Sequence, residues 1–200
     1  MNDSANGRAG VGSQRGERQG FAIFFTGLSA AGKTTIAEAL MKRFATLRGG
    51  SITLLDGDQV RRQLSPDLGF SKADRDLHIR RIGSLASEIT REGGIVVCAV
   101  IAPYDSVRKE VRRLVERSGR FVLVHVSTPL SICEQRDPKG LYAKARAGVI
   151  REFTGISDPY EIPGDADLTI DTAGITPEEA TSKILQYLEK ECFLTSAEAR

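Results

Sequence analysis

Cysteine is scarce in this chain of 200 residues, and the three cysteines are far apart. Cys98, Cys133 and Cys192 show none of the paired spacings that are typical of a zinc site or a redox dithiol. Their number is odd, and disulfides are rare in reducing compartments. A reducing cytoplasm is therefore the location that we expect.

Long apolar runs and an excess of one charge are also missing. The longest apolar stretch, residues 95–103, is much too short to cross a bilayer, and the N-terminal residues lack the apolar segment of a signal peptide. Lysine and arginine total 28 against 26 aspartates and glutamates, which argues against a protein that coats nucleic acid. We therefore expect neither membrane insertion nor secretion nor nucleic-acid binding.

The composition that is present is that of one ordinary folded domain. Hydrophobic residues make up 40% and charged residues 27% of the chain, which fits neither a disordered nor a collagen-like protein. Residues 1–20 contain five glycines among polar and charged residues, and are either a flexible leader or a severed linker from an upstream domain. We assign the folded domain to residues 21–192 and a C-terminal tail to residues 193–200.

From Phe21 onward, short runs rich in β-branched and aromatic residues alternate with longer segments of helical spacing. This alternation predicts βαβ units, and hence an α/β fold with a mainly parallel sheet and helices on both faces. The strands are predicted at residues 21–26, 52–55, 95–101, 121–126 and 168–170. Residues 137–164 break the rhythm with charges, glycines and prolines, and we predict that they form a lid.

A phosphate-binding loop is predicted between the first strand and the first helix. Residues 27–34 read GLSAAGKT and match the pattern G-x-x-x-x-G-K-[ST]. The glycines let backbone amides surround phosphate oxygens, Lys33 is expected to reach the β- and γ-phosphates, and Thr34 offers a hydroxyl to Mg²⁺. The pattern alone leaves GTPases, ATPases and small-molecule kinases open. The residues assigned to the nucleotide here are Gly27, Ser29, Ala30, Ala31, Gly32, Lys33, Thr34 and Thr35.

Two carboxylates and a cluster of arginines follow the second strand. Asp56 and Asp58 are expected at the carboxyl edge of the sheet, where open α/β sheets bind ligands. The alternative is that one of them caps the next helix while the other occupies a turn. Five arginines then occur within 21 positions, too many for one helical face, so we expect two or three to converge on an anion. They are Arg61, Arg62, Arg75, Arg80 and Arg81.

Together these segments resemble the adenylylsulfate kinase family, whose members phosphorylate adenosine 5′-phosphosulfate (APS) at its 3′-hydroxyl with ATP. The resemblance runs from about residue 21 to residue 188. It implies a three-layer P-loop kinase fold with a mobile lid, Mg²⁺ with ATP as phosphoryl donor, a homodimer, and fusion to or association with ATP sulfurylase. It rests on GLSAAGKTT (27–35), DGDQVR (56–61), LGFSKADR (68–75), IAPY (101–104), CEQRDPKGLYAKAR (133–146) and FTGISDPYE (153–161).

The resemblance also implies residue roles. Asp56 takes part in the catalytic step and the metal's surroundings, while Arg61 and Arg75 bind the phosphosulfate end of APS. Phe70 and Phe153 sandwich the substrate adenine, although core packing is the alternative for both rings. The remaining assignments are Arg136 at the ATP adenine, Lys33 as a second catalytic residue, and Asp58, His78, Ile101, Ala102, Lys139, Leu141 and Lys144 at the substrate. Solvent-facing lid charges are the alternative for Lys139 and Lys144.

This chain departs from the family pattern at two positions. His78 stands where asparagine is common before Ile-Arg-Arg, and below its ordinary pKa of about 6.5 it would add positive charge near an anionic ligand. Ala102 stands where many relatives have a serine that was proposed to carry phosphate. Alanine cannot do so, and the sequence therefore predicts direct in-line transfer.

Two other functions stay open at this point. One is a kinase for another small alcohol or nucleotide, against which Phe70, Phe153 and the arginines argue. The other is a catalytically silent nucleotide-sensing module of a sulfate-activating fusion protein. The presence of Lys33 and Asp56 argues against the second alternative.

Overall fold

The computed structural model describes residues 19–48 and 52–194. Residues 1–18 of the predicted leader and residues 195–200 of the predicted tail lie outside this part. The described residues form five strands and seven helices. In chain order these are β1 (Phe21–Thr26), α1 (Lys33–Arg48), β2 (Ile52–Asp56), α2 (Gly57–Leu64), α3 (Lys72–Arg91), β3 (Ile95–Ala99), α4 (Asp105–Val115), β4 (Arg120–Val126), α5 (Leu130–Arg136), α6 (Leu141–Arg146), β5 (Leu168–Ile170) and α7 (Pro177–Lys190).

The strands form one sheet in the order β2-β3-β1-β4-β5, and every neighbouring pair is parallel. The predicted parallel α/β sheet is therefore confirmed. β1 is buried along its whole length, which is typical of a strand covered by helices on both faces. β3 ends at Ala99, two residues earlier than predicted. The chain turns out of the sheet here because Ala102 adopts a left-handed φ of 43°.

Two apolar clusters cover the two faces of the sheet, which makes the architecture three-layered. Successive side chains of a strand point to opposite faces, so Ile23 and Phe24 of β1 belong to different clusters. On one face the sheet packs against α1 and α7, and on the other against α3 and α4. The apolar positions predicted for α1 and α3 are confirmed as core residues: Ile36, Leu40 and Phe44 in α1, and Ile79 and Ile82 in α3.

The predicted lid, residues 137–164, contains the short helix α6 and otherwise irregular chain. Its β structure among the described residues is a single bridge between Thr154 and Asp158. No second sheet or second core forms from it, in keeping with a lid rather than a domain. The mobility of the lid stays a prediction.

The carboxyl-terminal end of this segment is bound to the body of the domain. The Glu161 amide donates to the Pro103 carbonyl at 2.8 Å, and the Arg108 guanidinium donates to the Glu161 carbonyl at 2.7 Å. The Tyr160 hydroxyl lies 3.0 Å from that of Thr26, at the end of β1. Any lid movement must therefore take place in residues before 158–161. Among the described helices, none has both the length and the hydrophobicity that a bilayer span requires.

Candidate active site

A cleft of about 750 Å³ opens at the carboxyl edge of the sheet, the edge at which open α/β sheets bind ligands. It lies beside the turn after β1 and the N-terminus of α1. The predicted phosphate loop lines it together with Asp56 and Asp58, and Arg136 and Lys139 lie opposite. Residues assigned to the nucleotide and residues assigned to catalysis thus share one cavity.

The loop has the backbone conformation that its glycines make accessible. Gly27 has a φ of 154°, and a Cβ there would lie 2.5 Å from the Val126 carbonyl oxygen. Gly32 has a φ of 101°, which L side chains rarely adopt. The turn is closed by the Ala31 amide, which donates to the Leu28 carbonyl at 3.3 Å. Because α1 begins at Lys33, its positive N-terminal end faces the cleft.

Lys33 is buried under this loop. Its Nζ donates to the Leu28 carbonyl oxygen at 2.6 Å. Burial lowers the pKa of Lys33 to about 8, although the nearby carboxylates of Asp58 and Asp56 act in the opposite direction. A buried ammonium whose partner is a neutral carbonyl favours an incoming anion, and a phosphate in the cleft would stabilise its charged form.

Asp56 uses its two carboxylate oxygens for different purposes. Oδ1 accepts hydrogen bonds from the amides of Asp58 and Gln59, both at 3.1 Å, and so caps α2. Oδ2 accepts from the Thr34 hydroxyl at 2.8 Å. The helix-capping alternative therefore applies to Asp56, and it leaves the second oxygen turned toward the phosphate loop.

The Thr34 and Asp56 pair fits a magnesium ion. Mg²⁺ prefers hydroxyl and carboxylate oxygens, and it usually takes one or two protein ligands while waters and phosphates supply the rest. Both oxygens lie at the cleft, directly beside the loop that is predicted to hold the phosphates.

Asp58 forms an ion pair with Lys139 across the cleft. Although burial opposes it, the hydrogen bond and the charge of Lys139 lower the pKa of Asp58. The predicted lid is thereby joined to α2 in this structure. Lys144, by contrast, is exposed and its side chain has no hydrogen bond or ion pair among the described residues, as in the solvent-facing alternative. Leu141 is half-buried at the start of α6.

Arg136 lines the nucleotide side of the cleft, as expected. Its guanidinium donates to the hydroxyl of Thr172 at 2.8 Å and to the carbonyl of the same residue at 2.9 Å. Thr172 and Arg62, which also line the cleft, were not predicted. Arg62 had a signal, because it lies four residues after Asp58 on one helix face. Thr172 had none, because only the fold brings the end of β5 to the loop.

The substrate-side residues form a second group around α2 and α3. Phe70 is 63% exposed, so core packing does not explain it. The Arg61 guanidinium lies 4.9 Å from the centre of the Phe70 ring and donates to the Gly69 carbonyl at 2.8 Å. Phe153 is half-buried and lies edge-on to Tyr142 at 5.0 Å, so packing does account for part of its environment. Arg75 is buried.

The two departures from the family pattern are both buried. The carbonyl of Ala102 accepts from Arg108 at 2.8 Å, and the carbonyl of Ile101 accepts from the Thr26 hydroxyl at 2.6 Å. The His78 Nδ1 lies 3.0 Å from the Ser65 hydroxyl, and only 4% of the residue is exposed.

The expectation that His78 gains charge near pH 6.5 is wrong. Burial, followed by the positive charge of Arg61, lowers the pKa of His78 to about 4, against a backbone hydrogen bond to Gly57 that acts in the opposite direction. His78 is therefore neutral at physiological pH. It joins α3 to the two ends of α2.

We predict that this buried histidine makes the fold acid-sensitive. Its pKa is lower in the folded than in the unfolded chain, so its stabilising effect is complete above about pH 6.5 and is lost as the pH falls toward 4. Urea unfolding between pH 4.5 and 7.5 should show a steeper loss of unfolding free energy for the parent than for His78→Asn. Parallel pH profiles of the two proteins would contradict the prediction.

Comparison with known proteins agrees with this geometry. The sequence matches the model of the family described as adenylylsulphate kinase over residues 19–171, more than half of the chain. The chain belongs to the adenylylsulphate kinase family. An adenylyl-sulfate kinase of Rippkaea orientalis is 50% identical over 178 residues, which cover 89% of this chain and 96% of that protein.

Two further family relatives are informative. The structure of the Mycobacterium tuberculosis APS kinase CysC in complex with AMPPNP and APS superposes with a TM-score of 0.82 at 39% identity, covering 86% of this chain and 98% of that one. A sulfate adenylyltransferase of Aspergillus oryzae is 47% identical over 179 residues, 90% of this chain. The chain spans only 31% of that longer protein.

Proposed function

We propose that this protein transfers the γ-phosphoryl group of ATP to the 3′-hydroxyl of APS, yielding 3′-phosphoadenosine 5′-phosphosulfate (PAPS) and ADP in sulfate assimilation. The observation that carries the proposal is the shared cleft. There, a family member places buried Lys33 and the Thr34 and Asp56 pair beside one phosphate loop. Phosphoryl transfer depends mainly on positioning and charge stabilisation, which such a cleft supplies.

The residues of the cleft divide the work. Lys33 and the loop amides bind the β- and γ-phosphates, and Thr34 and Asp56 are the residues that would hold Mg²⁺. When bound, Mg²⁺ neutralises negative charge on the phosphates. The carboxylate of Asp56 orients the acceptor hydroxyl or a metal-bound water, and accepts the hydroxyl proton if it acts as general base. Because residue 102 is alanine, transfer runs directly between ATP and the hydroxyl.

The exposed ring of Phe70 supports a nucleotide as the acceptor. An aromatic side chain that is 63% exposed and lies beside the Arg61 guanidinium offers a stacking face next to a cation. APS combines an adenine ring with a sulfate and a phosphate, so both features suit it. A sugar acceptor without a base would leave the ring without a role.

The deciding experiment is to incubate the protein with ATP, Mg²⁺ and APS and to identify the product by mass. Formation of PAPS by the parent, but not by Lys33→Ala or Asp56→Ala, is the expected result. AMP and adenosine serve as alternative acceptors in an assay of ADP release. Turnover with either that equals turnover with APS would favour a kinase for another nucleotide, and no turnover with any acceptor would favour a silent nucleotide-sensing module.

The assembly and location of the protein are part of this proposal. The family resemblance supports a homodimer, and the match to part of a sulfate adenylyltransferase supports fusion to, or association with, ATP sulfurylase. The cysteine pattern supports a cytoplasmic location. Size-exclusion chromatography with light scattering would test the dimer.

A further inference from the structure

We propose that Arg75 acts as a positioning residue that holds the two phenyl-ring segments of the substrate site at a fixed spacing, and that Asp158 keeps it in place. This inference deepens the proposed function and rests on it. It assigns to Asp158, which lies outside the ATP cleft, an effect on the recognition of APS. It also separates the role of Arg75 from that of Arg61.

The contacts of the Arg75 guanidinium reach both segments. Its Nε donates to the Phe70 carbonyl at 2.7 Å. Its terminal nitrogens donate to the Glu152 carbonyl and to the Thr154 hydroxyl, on either side of Phe153 in the chain. One buried side chain on α3 thus joins the backbone of one ring-bearing residue to the immediate neighbours of the other.

Asp158 holds this guanidinium from the far side. Its Oδ2 lies 3.2 Å from a terminal nitrogen of Arg75, and the side chains are only 9% and 20% exposed for Arg75 and Asp158 respectively. The Tyr104 hydroxyl donates to the same carboxylate oxygen at 2.7 Å. Asp158 is also fixed through its own backbone, since its amide donates to the Phe153 carbonyl at 3.1 Å. A carboxylate held at three points is a rigid support for a cation.

The two arginines of the substrate site are therefore not equivalent. Every nitrogen of the Arg75 guanidinium already donates to the protein, so an anion would have to compete with these acceptors. Arg61 is half-buried, and its guanidinium lies over the exposed ring of Phe70. Arg61 is the side chain better placed to bind the phosphosulfate, while Arg75 holds the rings between which the base would bind.

The sign of one substitution separates this role from direct anion binding. If Arg75 binds the phosphosulfate, the carboxylate of Asp158 competes with that anion, and Asp158→Asn lowers the KM for APS. If Arg75 positions the rings, the same change releases the guanidinium and raises the KM. Loss of a hydrogen bond to a charged group corresponds to about a tenfold rise or more. We expect the kcat and the KM for ATP to change by less than about threefold, because the ATP cleft is not touched.

The experiment compares steady-state kinetics of the parent, Asp158→Asn, Tyr104→Phe and the control Asp165→Asn, an exposed aspartate of the same segment. Tyr104→Phe should raise the KM for APS in the same direction but less, and the control should match the parent. Thermal unfolding verifies that each variant is folded. Discrimination between APS and guanosine 5′-phosphosulfate should also narrow in Asp158→Asn, which a general loss of stability would not cause.

The outcomes distinguish the two proposals. A parent that forms no PAPS overturns the proposed function. An active parent with an unchanged or lower KM for APS in folded Asp158→Asn overturns the positioning role alone. If Asp158→Asn does not fold, Tyr104→Phe decides in its place, because it removes only the hydroxyl that supports Asp158.

Discussion

Lys33→Ala is expected to reduce kcat by about 10² to 10³-fold, the loss typical of removing one preorganised charge-stabilising donor. The ammonium is buried beneath the loop, and its hydrogen-bond partner is the neutral carbonyl of Leu28. It is therefore available to the charge that develops on the transferring phosphoryl group. Because burial lowers the pKa of Lys33 to about 8, the folded chain does not depend on this charge for stability. We expect the variant to unfold at nearly the parent temperature.

Steady-state kinetics with ATP varied, together with thermal unfolding, provide the measurement. Lys42→Ala is the matched control, because Lys42 lies on the same helix and is exposed. It should retain the parent kcat. A folded Lys33→Ala protein with more than about a tenth of the parent kcat would contradict the assigned role.

Asp56→Asn is expected to reduce kcat by about 10² to 10⁴-fold, the range for loss of a general base. Asparagine caps helices about as well as aspartate, so the amide can still accept from the amides of Asp58 and Gln59. The free energy of unfolding should therefore stay close to that of the parent. The loss of activity then reports on the carboxylate charge beside Thr34 rather than on the cap.

Asp56→Ala separates the two functions of this residue. It removes the cap as well as the charge, and should lower the unfolding free energy by about 0.5 to 2 kcal/mol. Urea unfolding of the parent and both variants, with kinetics on the same samples, tests this. If both variants lose activity only in proportion to lost stability, Asp56 is a structural cap and not a catalytic residue.

Much of the fold could be predicted from local sequence patterns. The buried run of β1 and the periodic apolar face of α1 predicted a parallel sheet with helices on both faces, because strand and helix periods differ and each buries one set of positions. The phosphate loop was equally local, since its glycines, Lys33 and Thr34 are consecutive. The structure brings these residues to the cleft where the pattern predicts them.

The environment of single side chains could not be predicted in this way. The same pattern left open whether a capping aspartate was present, and the structure shows that Asp56 caps α2 and also contacts Thr34. His78 was expected to titrate near pH 6.5, but its neighbours in α2 bury it and lower its pKa to about 4. Burial depends on contacts between elements, which local spacing does not encode.

The sequence by itself determined the parallel sheet, the phosphate loop and the family resemblance, because each depends on residues that are close in the chain or occur in ordered blocks. Only the tertiary structure decided that Thr172 contacts Arg136 and that Arg75 joins Phe70 to residues 152–154. Arg75 and Thr154 are 79 positions apart. Their contact depends on how α3 and the lid pack against one sheet edge, and side-chain type alone does not carry that information.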